Sequence, residues 1–510
     1  NNARYGSCFV ISHGNNISFN EALNNDYGIR IRLSNGNFIH KNNASENIEG
    51  ISVYESSGIE IIDNSMSRNG MYGFHLSKST GAHLVNNTMI DNGIRIMGNE
   101  IEYWNMHKID ISNTVNGKPV YFLKNQTGGV IPSNAGQVIL ANCSEIEVKD
   151  TELINCSIGI LLGFSMRNNI SNNNVSRNWV GLGIQLAHSD GNNVHDNNAL
   201  YNGYGIGFSM SENNVFMGNN ITNCNTGFFS WSTRNNVIMS NNISDCDYGL
   251  VLYFSLSNRI YHNNIINNIV QAQDDGLNYW DDGYPSGGNY WSDYTGIDNF
   301  KGPNQDQPGS DGIGDTEYLI DSNSIDHYPL MDPYIYKPLE NYTILKQGWN
   351  LISIPLIQQD QNLSKVLEMI DGYYDAVQWY DVMNGADHWK HHEVEKSLGN
   401  DLFEINETMG FWIHITRPGD TIFLYNGTQP TKNQTINLHS GWNLVGYPSL
   451  TSYNRTNALN NIDFDSDVDA IWTHNPSTKK WKELTASDFF EIGKGYWIHA
   501  KVECEWEVPL

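Results

Sequence analysis

Short runs in which apolar and polar residues alternate recur through the first half of the chain, and most begin at a glycine. Gly28-Ile29-Arg30-Ile31, Gly73-Phe74-His75-Leu76 and Gly205-Ile206-Gly207-Phe208 are three of them. Alternation at period two buries one face of a short strand. Gly6, Gly28, Gly50, Gly73 and Gly93 open one series of such segments, and Gly159, Gly183, Gly205, Gly227 and Gly249 open another, mostly 22 residues apart. After each run come Ser/Asn punctuation, a second apolar stretch and an Asn pair. Asn192, Asn214, Asn236 and Asn258 keep the 22-residue step, as do Asn20, Asn42, Asn64 and Asn86.

Strands repeating at this period, with no helical pattern, predict one turn of a right-handed parallel β-helix per repeat. The fold class is therefore all-β. About eleven coils stacked ~4.8 Å apart make a rod of roughly 50 Å. Asparagines at equal positions in successive coils can bond amide to amide, and they tolerate the left-handed conformation that a corner needs. Their role is read as structural.

Residues 98–137 break the period. Asn116-Gly117 and Gly128-Gly129 are hairpin and turn signals, so this stretch is expected to project from the rod as a β-rich insertion.

The run Asn116-Gly117-Lys118-Pro119-Val120-Tyr121, the Asn-Asn-apolar coils and the segment Gly287-Gly288-Asn289-Tyr290-Trp291-Ser292-Asp293-Tyr294 carry a resemblance. Over roughly residues 1–335 the chain resembles NosD-type right-handed β-helix proteins, which are abundant among surface proteins of methanogenic archaea. The resemblance implies the fold. For function it implies several roles, among them copper maturation and polysaccharide chemistry.

Composition then narrows the partners. Asparagine accounts for 71 residues, 54 of them before residue 300, which suits a fold made of turns. The net charge of −27 argues against nucleic acid and anionic membrane as partners. No run approaches the roughly 18 apolar residues of a membrane-spanning helix. Six sequons beyond residue 340, at Asn341, Asn362, Asn406, Asn426, Asn433 and Asn454, favour a glycosylated extracellular protein at a cell surface.

The organisation follows: a β-helix over 1–270, an acidic and aromatic cap over 271–338, and two β-rich modules over 339–428 and 429–510. The modules are a duplication. Gly348-Trp349-Asn350-Leu351 recurs as Gly441-Trp442-Asn443-Leu444, and Trp389-Lys390 as Trp481-Lys482. Gly410-Phe411-Trp412-Ile413-His414 recurs as Gly495-Tyr496-Trp497-Ile498-His499, and Trp379 is matched to Trp472. Short helices are expected at 363–370 and 456–462. The repeated tryptophans, set beside apolar neighbours, are read as core.

Candidate chemistry is sparse. In the cap, Asp298, Asn304, Asp306, Asp311, the Ile313 carbonyl and Asp315 alternate oxygen ligands with glycine, which suits a calcium ion. His188, Asp190, His195 and Asp196 form the best cluster in one coil. The plainer account of that cluster is a solvated corner rather than a catalytic pair. Soft copper ligands would be Met66, Met71, Met89 and Met97, which read as core filler, or His388, His391, His392 and Glu393, which read as a polar loop. Cys224 and Cys246 stand one period apart and could form a disulfide or a ladder of buried thiols. Cys8 and Cys504 lie at opposite ends of the sequence and could link protomers. The chain opens in mid-pattern at Asn1-Asn2, so it is either a fragment or presents an uncovered strand edge that favours head-to-tail stacking.

The sequence thus points to an extracellular structural or adhesive protein. Its partners would be further copies of itself or other surface proteins and glycans. The alternative is a β-helix enzyme that binds or cleaves polysaccharide, as a lyase or glycoside hydrolase.

Overall fold

The computed structural model describes residues 3–178, 181–335, 342–385, 387–396, 399–417, 421–425, 427–476 and 478–510. It divides into two compact units, Asn1–Pro338 and Leu339–Leu510.

The first unit is a parallel β-solenoid of about thirteen turns. On one face, Leu182–Ala187, Tyr204–Ser209, Thr226–Trp231 and Tyr248–Tyr253 pair in parallel, each residue opposite its counterpart one coil on. Asn193–His195, Val215–Met217 and Val237–Met239 form a second face. Asn198–Leu200, Asn220–Thr222 and Asn242–Ser244 form a third. The alternation does what the pattern requires: Ile184, Ile206, Phe228 and Leu250 stack as a buried column inside the coil.

Every complete coil turns four corners, and most corners have a two-residue device. The first residue takes a left-handed conformation and the second sends a polar side chain into the wall. In one coil the left-handed residues are Met210, Asn213, Gly218 and Asn223. The buried partners that follow them are Ser211, Asn214, Asn219 and Cys224. Asn214 Oδ1 accepts from Asn192 N at 2.8 Å and Asn192 Nδ2 at 3.0 Å, while its Nδ2 donates to Ser189 O at 2.9 Å. One amide thus ties three groups at a bend where strand pairing fails. This corrects the expectation that the ladder asparagine itself is left-handed; the residue before it is, even when bulky, as at Phe19, Leu33 and Phe254.

The cysteines belong to this scheme. Cys156, Cys224 and Cys246 stand where Asn47 and Asn69 stand in the earlier coils. Asn202 N donates to Cys224 Sγ at 3.5 Å and Cys224 N to Cys246 Sγ at 3.4 Å. All six cysteines are free thiols. In this arrangement the Cys224 and Cys246 sulfurs each take the place of an amide oxygen in the ladder, and the Cys224 thiol itself donates to Ala199 O at 3.3 Å.

Residues 98–137 do not project. Thr114–Val115 continues a face by pairing in parallel with Thr88–Ile90. The Asn116-Gly117 turn, left-handed at both residues, then folds Lys118–Lys124 back antiparallel. Lys118–Lys124 pairs in parallel with Gln137–Ala141, so one eleven-stranded sheet contains a reversal of strand direction. The sheet that starts with Ala3–Val10 ends at Ile94–Met97. There Ile94 N donates to Gln137 Oε1 at 2.8 Å and Gln137 Nε2 returns to Ile94 O at 2.7 Å. Trp104, on the short helix Glu102–Asn105, is buried over Gly163, where any β-carbon would strike its ring. The segment is a joint within the solenoid, and its strands raise the coil number above eleven.

The far end is closed by the aromatic segment. Asn289 extends an asparagine ladder, accepting from Asn263 N at 3.1 Å. Trp291 is buried and stacks on Tyr318 at 4.1 Å. Asp326, also buried, accepts from Asn289 N and Trp291 Nε1, both at 2.8 Å. Gly288 leaves the space that the Asp326 carboxylate fills.

The second unit holds two antiparallel modules of the same design. In the first, strands order as Gly348–Ser353, Gly410–Ile415, Tyr374–Tyr380 and Trp389–Glu393. In the second the order is Gly441–Val445, Tyr496–Ala500, Val468–Asn475 and Lys480–Glu483. Each adds a two-stranded sheet and a short helix, Leu363–Val366 or Arg455–Ala458, at the places the sequence indicated. Separate apolar cores underlie the two copies.

Candidate functional site: a tryptophan trough

Strand alternation sorts each module into a core face and an outer face. On Gly410–Ile415, Phe411, Ile413 and Ile415 enter the core and Trp412 and His414 face away. On Tyr496–Ala500, Tyr496 and Ile498 enter the core and Trp497 and His499 face away. The Gly-Trp-Asn repeat explains how its tryptophan is presented. Gly348 and Gly441 turn with φ of 95° and 102°. Asn350 and Asn443 then latch the turn from inside: Asn350 Oδ1 accepts from Lys346 N at 2.8 Å and its Nδ2 donates to Lys346 O at 2.7 Å. Asn443 makes the same pair with His439, at 2.9 and 2.7 Å. Between glycine and asparagine, Trp349 and Trp442 are left on the outer face, 39% and 41% exposed.

The two copies meet reciprocally. Ile352 bridges Lys494 and its equivalent Val445 bridges Met409, the equivalent of Lys494. Ser353 N donates to Gly493 O at 2.9 Å and the equivalent Gly446 N to Thr408 O at 2.8 Å. The relation is a pseudo-two-fold like that of an isologous dimer. It brings the outer tryptophans together across the joint. Trp412 lies 5.7 Å from Trp481, and Trp497 lies 6.0 Å from Trp389. Within each copy Trp349 meets Trp412 at 6.4 Å and Trp442 meets Trp497 at 6.3 Å, close to perpendicular. The result is a trough of about 860 Å³ lined by seven tryptophans with Gln378 and His474. His414 and His499 each rest on a tryptophan at 5.0 Å and bond Asp375 and Asp469 at 2.6 Å, which holds the outer rings.

This corrects the reading of the repeated tryptophans as core. It also corrects one match. Opposite the central strands, Gln378 pairs Trp412 and Trp472 pairs Trp497. Trp472 is therefore the counterpart of Gln378 and lines the trough. Trp379 corresponds to Thr473, packs against its module's core and donates from Nε1 to Leu444 O at 3.3 Å. His474 is 9% exposed, burial lowers its pKa, and its Nδ1 has no hydrogen-bond partner. The period-two pattern of each strand could have revealed the outer face, since tryptophan alternates there with the buried residues.

The other candidates are held by local partners. Asp298 accepts from Asp311 N at 3.2 Å and Gly312 N at 2.8 Å. Asp311 accepts from Gly302 N at 3.2 Å and Ile313 N at 3.1 Å. Asp315 accepts from Asn299 N at 3.0 Å and Phe300 N at 2.9 Å. These carboxylates staple loop backbone, and Ile313 is buried in a bridge to Leu330. Asn304 and Asp306 lie in the same loop. Among the described residues no three His, Cys, Asp or Glu side chains gather to hold a metal ion. His195 is fixed between Asp196 at 2.7 Å and Asn169 at 2.9 Å, and His188 stacks on Phe164. His391 and His392 are neighbours on one strand, so their side chains take opposite faces.

Of the sequons, Asn362 and Asn454 cap the two short helices, Asn406 accepts from Thr408 N at 3.0 Å, and Asn433 is exposed. Asn341 and Asn426 lie outside the described residues. Cys8 is exposed and Cys504 half-buried.

A family model described as periplasmic copper-binding protein (NosD) matches residues 1–122 and 115–296. No curated protein matches the chain. Among solved structures, a double mutant of the periplasmic alginate epimerase AlgG is 12% identical, covering 52% of this chain and 76% of that one, with a TM-score of 0.26. The Dettilon tailspike protein is 10% identical over 96% of this chain and 86% of that one, at 0.23. The enzymatically active domain of bacteriophage CBA120 tailspike protein 2 is 12% identical over 84% and 73%, at 0.24. Likeness of this size carries nothing about activity. Of the soft donors named above, Met66 and Met89 are core and the Cys224 and Cys246 sulfurs belong to a ladder, and among the described residues no three His, Cys, Asp or Glu side chains gather.

Proposed function

The chain belongs to the NosD family through its solenoid, and from that premise we propose that it is a non-enzymatic, extracellular binding protein of a cell surface. In this reading the solenoid is a rigid scaffold and the C-terminal unit is the adhesive part. The observation that carries it is the tryptophan trough: Trp349, Trp389, Trp442 and Trp481 are 38–49% exposed although each could have been spared by a polar residue. Large exposed aromatic patches mark interaction surfaces. The absence of a membrane-crossing helix among the described residues is compatible with export.

Co-sedimentation of the intact chain with insoluble envelope material from the cells that make it tests this. Wild type should pellet, and Trp349→Ala with Trp442→Ala should leave it in the supernatant. Equal pelleting of both proteins would refute the assignment. New reducing ends on incubation with acidic or neutral polysaccharide would establish the enzymatic alternative instead.

A further inference from the structure

We propose that the trough takes a proline-rich segment of another protein in the polyproline II conformation. The inference rests on the binding reading above and names the ligand class. The first support is hydrogen-bond complementarity. Trp379 and Trp506 donate from their indole nitrogens to Leu444 O and to Ala458 O, at 3.3 and 2.8 Å. None of the seven trough tryptophans donates to any described residue. The lining is therefore mostly apolar ring surface whose indole N–H groups are not taken up by described residues, and among the described residues no carboxylate lines it. A sugar brings as many hydroxyl donors as acceptors and needs side chains that accept. A proline-rich segment brings pyrrolidine rings and backbone carbonyls but hardly any N–H, so it needs donors alone. Gln378 can accept the N–H of an isolated non-proline residue.

The second support is shape. The rings do not form one flat platform. Trp349 on Trp412 and Trp442 on Trp497 stand at 84° and 82°. Trp412 on Trp481 and Trp389 on Trp497 stand at 76° and 68°. Upright rings divide a trough into slots, and the pseudo-two-fold supplies two equivalent sets. A polyproline II helix presents rings at every turn, about 9 Å apart, with little ordering entropy to lose.

Titration of the full chain with acetylated decaproline, a Gly-Ser decapeptide and cellohexaose, followed by tryptophan emission and calorimetry, tests the proposal. Decaproline should bind saturably and the other two should not. Trp412→Ala and Trp497→Ala should weaken it at least tenfold. Because these residues lie on central strands, Trp349→Phe and Trp442→Phe provide a gentler pair that keeps the ring and removes the N–H. Each should weaken binding by about two- to tenfold with unchanged melting. Phenylalanine variants that bind as wild type overturn the donor argument. Saturable cellohexaose binding without decaproline binding overturns the ligand class and leaves the binding reading intact. Silence of all three ligands overturns the inference; if the Trp349→Ala, Trp442→Ala protein also pellets as wild type, the binding reading falls with it.

Discussion

His107 occupies a corner position that Asn37 fills in an earlier coil. Its Nδ1 accepts from Ala82 N at 3.2 Å and its Nε2 faces Tyr103 O at 2.9 Å. Burial pushes its pKa down to about 4. Above pH 6.5 both folded and unfolded forms are neutral and the stability is complete. Below 6.5 the unfolded chain takes a proton that the folded chain refuses, so stability falls toward pH 4, by about 3 kcal/mol. Asp326 works the other way. Burial raises its pKa to about 7 despite hydrogen bonds from Asn289, Trp291 and Tyr328. The folded state there holds a proton that the unfolded state releases, so stability falls as pH rises from about 4 to 7. The two slopes oppose each other within one unit. His107→Asn, which keeps the acceptor, should expose the loss with rising pH; Asp326→Asn should expose the loss with falling pH. Denaturation midpoints from pH 4 to 7.5 check both, and parallel curves for the two variants would refute the assignment. The sequence made neither residue legible. The period marks corner positions, but a histidine there reads as an interruption, and Asp326 was one of many cap carboxylates until the fold buried it.

Elements repeat the same division between what spacing shows and what packing decides. The Asn-Asn pairs announced the coils, yet the members of a pair do different work. In Asn213-Asn214 the first is left-handed at φ 57° and half-buried, while the second is buried and bonded up and down the wall. Asn213→Gly should change stability by less than about 0.5 kcal/mol, since glycine accepts that conformation freely. Asn214→Ala leaves Asn192 N and Ser189 O without partners inside the wall, which should cost about 3 kcal/mol or more. Urea denaturation of the two variants checks the contrast, and similar midpoints would mean that the ladder does not hold the coil. The hairpin at Asn116-Gly117 was legible from its turn residues. The reversal it causes was not, because period-two alternation is the same in parallel and antiparallel strands. The tryptophans misled for a related reason: equal spacing in two copies says that a residue is structurally equivalent, not which face of its strand it occupies.

For the whole molecule, the decisive feature is that three apolar cores lie in two units. The solenoid core runs unbroken from Ile17 to Trp291, and the two module cores lie together beyond residue 339. Coils stacked only on their neighbours unfold with limited cooperativity, whereas modules joined through reciprocal strand contacts should unfold together. Calorimetry should therefore resolve at least two transitions. Trp349→Ala should not move the solenoid transition, and Asn214→Ala should not move that of the modules. The acidic loop belongs to the first transition. Calcium was expected there because carboxylates crowd the sequence, but Asp298, Asp311 and Asp315 each accept backbone N–H groups of the loop they sit in. Such staples offset part of the crowding. Excess chelator should then leave both transitions in place, and elemental analysis should find less than one equivalent of calcium. A solenoid transition that falls by several degrees in chelator, and returns with added calcium, would show that an ion does the work here assigned to the backbone.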